Sequence, residues 1–289
     1  MQFRQYGDAM SYFCRNPDKL IDAEKFVFDE IDHFIRIALP EIVRDYNEAS
    51  YLYPFWKNYP PEDRGRSPKH DQYPWIEVGE HVFGPKLSRY FSANFSVRDS
   101  GLPSGSDDRY VVSGLKLKEI LGITDTVWVF IDIKSVGPRD NFAHAVMSNY
   151  QISGDGIWEN ENAGVTNSVM RANGARVAHD FHCSIPPFYV LSDGTVVPVL
   201  VYIIKPIYSM LSLSFQGRGQ PLEQISLASI PNGILLCRNP NYLSKFPSLL
   251  FPGKDDKGKD PRKMRARISF SDLQRIDAWR LKTYQVRIS

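Results

Sequence analysis

Apolar residues recur at helical spacing after Asn16-Pro17, through Leu20, Phe26, Phe28, Ile31, Phe34 and Ile37. Asn16 suits an N-cap and Pro17 the first helical position, so a helix opens there. Pro40 is expected to break or restart it, with a second piece running to about Glu48 and completing an N-terminal helical part over about residues 1–50. Another helix is expected from Pro74 through Ile76, Val78 and Val82, with Glu77 and Glu80 on different parts of its surface. Leu115 to Leu121 reads as a short helix or strand.

Elsewhere the pattern is that of strands. Phe95–Arg98 is a short one, and the tight loop from Gly101 runs into another at Tyr110–Val112. Thr124–Lys134 is a long apolar run, rich in β-branched and aromatic residues, and reads as the central strand. Phe188–Leu191 and Val196–Ile204, joined by Ser192-Asp193-Gly194-Thr195, form a hairpin. Strand-like pieces follow at Ile207–Phe215 and Ile225–Ile230, with turns at Gly217–Gly219 and Asn232-Gly233. Met264–Phe270 alternates as a strand, with Arg265 and Arg267 on one face. Residues 51–74, dense in aromatics and prolines, read as an ordered irregular loop, and residues 150–182 as a long excursion without periodicity. With no repeat and no linker, residues 1–289 are expected to form a single α/β domain, a central mixed β-sheet flanked by helices.

The composition is that of an ordinary globular chain, 43% hydrophobic and 24% charged. No apolar run reaches the roughly 18 residues of a membrane span, and the N-terminus has no signal-peptide core, so a cytoplasmic protein without a membrane partner is expected. The three scattered cysteines have no metal-ligand spacing. The net charge of +2 hides an asymmetry, because Pro252–Ser289 carries 11 Lys/Arg against 5 Asp. A basic terminal segment (about 252–289) on a mildly acidic body points to a polyanionic partner.

Charge inside the central strand raises the chemical question. Asp132 and Lys134 fall on one face, about 7 Å apart along the strand. A structural ion pair at a strand end is the plain explanation for a bare Asp-x-Lys. Asp107, however, stands at the foot of a strand expected to neighbour the central one. Two carboxylates and a lysine brought together there suit Mg²⁺-assisted phosphodiester hydrolysis: the carboxylates hold the ion and the lysine stabilises the attacking hydroxide. Base reading has its own candidates. Lys254-Asp255-Asp256 with Arg265 and Arg267 supplies donors for guanine and acceptors for cytosine N4, and no Asn or Gln for adenine.

An Asp followed by Asp-x-Lys on an apolar strand resembles the signature of the PD-(D/E)xK nucleases. Longer segments, namely Tyr53 to Glu80, Gly101 to Tyr110, Asp132 to Asp140, Ser192 to Thr195, Ile204 to Tyr208 and Pro252 to Asp256, resemble the type II restriction endonucleases of the BglI family, in the same order. The resemblance runs from about Asn47 to Arg267 and fades at the N-terminal helix, over residues 157–182 and after about Phe270. It implies a restriction-endonuclease-like fold and a homodimer that cuts double-stranded DNA at the interrupted palindrome GCCNNNNNGGC with Mg²⁺, leaving 5′-phosphate and 3′-hydroxyl ends. A companion methyltransferase acting on the same site without stable binding is implied as well. The catalytic trio falls on Asp107, Asp132 and Lys134, with the carbonyl of Ile133 and the carboxylate of Glu80 as further metal ligands. Base contacts fall on Lys254, Asp256, Arg265, Arg267 and Asp140. Ser106 stands where the signature has proline, which bears on the stiffness of that loop. Two other readings are a structure-selective repair nuclease with the same metal site and a sequence-specific DNA-binding protein that does not cut.

Overall fold

The structure, a computed structural model, describes residues 2–48, 73–98, 107–136, 141–160, 165–166, 168–174, 177–208, 222–253 and 264–286. Helices α1 (Gln2–Arg15) and α2 (Pro17–Glu48) are separated by Asn16 alone. The Asn16 side chain donates to the Tyr12 carbonyl and closes the end of α1, a helix beyond those expected from the sequence. Helix α2 does not break at Pro40 as expected. Pro40 and Arg36, whose carbonyl loses its partner, are both on the exposed side, so water can satisfy that group. The two expected pieces are one helix of 32 residues, about 48 Å long.

Helix α3 (Tyr73–Asn94) leads into β1 (Ser96–Arg98) and β2 (Asp107–Ser113), and the short α4 (Leu115–Leu121) into β3 (Thr126–Ile133). Then come β4 (His144–Met147), β5 (Trp158–Asn160), β6 (Val165–Thr166), β7 (Ser168–Asn173) and β8 (Ala178–Cys183). The expected excursion over 150–182 therefore holds two small hairpins, β5–β6 and β7–β8. Met170, Ala172, Phe181 and Cys183 face in and Arg171 and Asp180 out, but buried Ser168 and exposed Val169 and Ala178 break the alternation, so these short strands raise no clear period. Strands β9 (Phe188–Val190) and β10 (Val196–Tyr208) form the expected hairpin, followed by β11 (Leu222–Ile230).

Asn232-Gly233 makes no turn between strands. Asn232 is the buried N-cap of α5 (Gly233–Cys237) and accepts from Ile234 N, while its amide donates to the carbonyls of Pro187 and Val199. The rest of the chain is α6 (Tyr242–Lys245), β12 (Leu250–Pro252), β13 (Ala266–Ser269), α7 (Phe270–Ile276), a 3-10 turn at Ala278–Arg280 and β14 (Leu281–Gln285). The strand expected over Met264–Phe270 is thus shorter, because Ser269 caps α7 by accepting from Asp272 N. The expected loop over 51–74 and the turn at Gly217–Gly219 lie outside the described residues, apart from the first residues of α3.

The main sheet runs β1-β2-β3-β10-β11-β14, with β9 added on β10. Strand β3 is parallel to β10, and the other pairings are antiparallel, so the sheet is mixed as expected. All eight residues of β3 are buried, which explains why its sequence is apolar without alternation. A second sheet, β12-β13-β4, is built only from segments downstream of β3. Helix α2 covers one face of the main sheet and is pinned to it: the Tyr202 hydroxyl donates to the Glu24 carbonyl, and Arg280 meets the Glu24 carboxylate at 2.8 Å. That pair is fully buried and ties the start of α2 to the C-terminal segment. No helix among the described residues is long and apolar enough to cross a membrane, and Cys14, Cys183 and Cys237 are free thiols.

Candidate active site

The register of β2 against β3 decides where the carboxylates meet. Asp107 stands directly opposite Asp132, and Arg109 opposite Phe130. The sequence suggested a strand from Tyr110; β2 starts at Asp107, and this earlier start brings the position into pairing. Facing positions on antiparallel strands carry Cβ atoms about 4.5–5.5 Å apart, and like charges there repel. The side chains of Asp107 and Glu80 lie outside the described residues, whereas Asp132 is 2% exposed at the end of β3.

Lys134, on the same face, brings its Nζ to 2.6 Å from Asp132 Oδ2. The Gln151 side-chain oxygen accepts from that ammonium at 3.3 Å and from Ser148 N at 3.0 Å. Gln151 therefore aims Lys134. Nothing in the sequence marks it, because a lone glutamine in an aperiodic stretch has nothing to distinguish it before the chain is folded. Ile133 points to the opposite face and is buried. Past the end of β3 the ladder continues: Lys134 N donates to Ile204 O at 2.8 Å and Val136 N to Pro206 O at 3.0 Å. The Asp132–Val136 segment is thereby a rigid track.

Helix α3 meets this track at Gly79, next to Glu80. A methyl group at Gly79 would lie 1.8 Å from Ser135 Oγ, so only glycine permits the approach. Ser135 in turn shares a hydrogen bond with Tyr46 of α2. Burial pushes the Tyr46 hydroxyl far above the usual tyrosine range, which keeps it a neutral partner. Among the described residues no three Asp, Glu, His or Cys side chains cluster as a metal site. Asp107 and Asp132, which the register sets opposite each other, are both carboxylate residues, the oxygen-donor type that hard divalent cations prefer.

A family profile described as restriction endonuclease BglI matches residues 1–284. The chain belongs to the BglI family. It is thus a type II restriction endonuclease of α/β fold. The type II restriction enzyme BglI of Bacillus subtilis is 43% identical over 279 residues, 95% of this chain and 93% of that protein. The crystal structure of the restriction endonuclease BglI bound to its DNA recognition sequence superposes with a TM-score of 0.87 at 42% identity, covering 98% of this chain and 96% of that one. The tetrameric restriction endonuclease SfiI bound to cognate DNA shares the fold, with a TM-score of 0.61 at 14% identity over 94% of this chain and 86% of that one.

In this BglI-family fold the second sheet carries the arginines expected to read bases. Arg267 lies in β13, opposite Phe251 on one side and Val146 on the other. Its guanidinium lies over Gly253: a methyl there would fall 1.2 Å from Nη1. Arg265 precedes the strand and is exposed. Lys254, Asp256 and Asp140 lie outside the described residues, but their neighbours do not. Gly253 brings the chain to Arg267, and Asn141 follows Asp140 on the connection from the β3 track to β4. The candidate cleavage and reading groups are therefore joined by one short connector.

Proposed function

We propose that this chain is a Mg²⁺-dependent deoxyribonuclease that cuts double-stranded DNA at GCCNNNNNGGC, leaving 5′-phosphate and 3′-hydroxyl ends. The observation that carries this reading is the convergence of Asp107 opposite Asp132 with Lys134 held 2.6 Å from the latter. Two facing carboxylates with one lysine leave negative charge uncompensated, and a hard cation fits that surplus. Asp107, Asp132 and the carbonyl of Ile133 would hold Mg²⁺, with Glu80 in support. When bound, the ion supplies an acidified water and neutralises charge on the scissile phosphate. Lys134, aimed by Gln151, stabilises the negative charge that develops on the attacking and phosphate oxygens.

Recognition falls to Lys254, Asp256, Arg265, Arg267 and Asp140, whose donors and acceptors match the edges of G·C pairs in the major groove. The solved BglI relative was bound to its own recognition sequence, and the 42% identity extends over nearly the whole chain, which supports the same half-site here. A palindrome is matched most simply by a two-fold axis, so the protein acts as a homodimer, each copy a single unit over residues 1–289 cutting one strand. It works in the cytoplasm, beside a methyltransferase that marks the same sequence.

The test is a digest of plasmid DNA of known sequence with Mg²⁺ or with EDTA. Discrete bands with Mg²⁺ alone, ending at GCCNNNNNGGC, are expected. Asp132→Ala should bind that duplex and leave it intact. Bands mapping elsewhere would overturn the site assignment only. Tight binding without cutting would restore the non-catalytic reading, and cutting of branched DNA without sequence preference would restore the repair-nuclease reading.

A further inference from the structure

Lys205 is a charged residue in the C-terminal third of β10, a strand buried over almost its whole length. It is 2% exposed. An ammonium in such a place is costly unless its donors are used. Its Nζ donates to the carbonyl oxygens of Asn141, at 2.6 Å, and His144, at 2.8 Å. Asn141 lies on the connector that leads from the catalytic track to β4, and His144 is the first residue of β4.

The neighbours on either side of this contact are the candidate chemical groups. The parallel register sets Ile133 beside Ile204, and the bridge from Val136 to Ile207 continues it, so Lys134 lies beside Lys205 on the same face. On the other side, β4 pairs with β13 and sets Val146 opposite Arg267. Phe270, which starts α7 directly after β13, donates its N–H to the Ala143 carbonyl between the two acceptors, and its ring lies 6.0 Å from Nζ. One side chain thus fastens the end of the connector and the start of β4, one strand away from Lys134 and one strand away from Arg267.

We propose that Lys205 is a positioning residue for specificity: it fixes the base-reading sheet β12-β13-β4 against the catalytic strand, so that Arg267 meets its base while Asp132 and Lys134 meet the scissile phosphate. The proposal rests on the reading of the site given above. Lysine suits the task because its ammonium is compact and offers three donors, which no apolar residue of similar length can replace. Without it the carbonyls of Asn141 and His144 lose that donor. The connector can then shift, and contact with a correct base no longer sets the geometry at the phosphate. Affinity drawn from phosphate contacts, which carries no sequence information, does not depend on this link.

The full-length protein and the variants Lys205→Met and Lys205→Gln test it, with Val197→Ala, a buried change at the far end of the same strand, as a stability control. Single-turnover cleavage with Mg²⁺ is measured on the cognate duplex and on one with a single changed G·C pair, alongside Tm and the salt dependence of DNA binding. Both Lys205 variants should lose the cognate-to-mismatch cleavage ratio by about tenfold or more, Met more than Gln, with the salt slope unchanged. Val197→Ala should keep the ratio even where its Tm falls as far. Should Lys205→Met not fold, Lys205→Gln decides. Lys205 variants that keep the wild-type ratio, or a Val197→Ala protein that loses it equally, would overturn the role of Lys205 alone. A wild-type protein that does not distinguish the two duplexes would overturn the underlying reading of the site.

Discussion

The hydroxyls of Tyr46 and Ser135 share a buried hydrogen bond of 2.7 Å, and the backbone of Gly79 closes over both. Three elements meet there: the end of α2, the segment that follows Lys134, and the turn of α3 that carries Glu80. A Cβ at position 79 would lie 1.8 Å from Ser135 Oγ and 2.8 Å from the Tyr46 hydroxyl. Gly79→Ala must therefore push α3 off the track, at about 1–3 kcal/mol. Tyr46→Phe leaves the Ser135 hydroxyl without its partner and costs about the same. Urea denaturation should show both losses, but only Gly79→Ala should also raise the Mg²⁺ concentration needed for half-maximal cleavage. Equal metal dependence in the two variants would separate Gly79 from the metal site.

Gln151 holds Lys134 by accepting from its ammonium and is itself fixed by Ser148 N. Groups that orient a group at a metal site typically contribute tenfold to a hundredfold in rate or metal affinity, and Gln151→Ala should slow single-turnover cleavage by about that factor. Binding of cognate DNA in EDTA should be unchanged. A wild-type cleavage rate would show that the salt bridge to Asp132 aims Lys134 without help.

What the sequence revealed and what it hid follow from the physics of each residue. Strand β3 was legible because eight buried residues in a row leave a continuous run rich in β-branched and aromatic residues, and Asp132 stood out as the exception in it. Asp107 was legible only as a position near a strand; its register opposite Asp132 depended on where β2 begins, which alternation over so few residues does not mark. Pro40 misled because its helix-breaking effect depends on whether the freed carbonyl can reach water, a fact of the fold and not of the residue. Asn232-Gly233 misled because a hairpin turn and a helix N-cap favour the same residues. Gln151 and Gly79 were hidden for one reason: each acts through a partner distant along the chain, and nothing local sets it apart, whereas Lys205 is a charge in an apolar run whose partners only the fold reveals.

Gly253 and Arg267 form a pair that mutation can separate from folding. The guanidinium occupies the space a side chain at 253 would fill, with the hypothetical Cβ 1.2 Å from Nη1 and 2.5 Å from Nη2. Gly253→Ala must swing the guanidinium aside while leaving its charge in place. If Arg267 reads a guanine, Gly253→Ala and Arg267→Ala should both lose discrimination at the same G·C pair, by about 1–3 kcal/mol. Only Arg267→Ala removes a positive charge. Uniform weakening across all sequences by Arg267→Ala, with no effect of Gly253→Ala on discrimination, would make Arg267 a phosphate contact.

Asp32 supplies the acid-sensitive joint between α2 and β14. It is mostly buried and accepts hydrogen bonds from Lys282 and Tyr284 of β14 and from Arg36 of its own helix. Burial pushes its carboxyl up, but the three donors together outweigh that and hold it below the ordinary value of 3.8. Tyr284, raised by burial and by its bond to Asp32, remains a protonated donor throughout. The sign follows from proton uptake: below 3.8 the unfolded chain binds a proton that the folded one still resists, so acid favours unfolding. The contribution is fully present at neutral pH and drains as pH falls through the folded value. Asp32→Asn should accordingly be less stable than wild type at about pH 7, and the difference in urea midpoint should narrow on going down to about pH 3. A gap that stays constant over that range would mean that Asp32 acts by shape and not by charge.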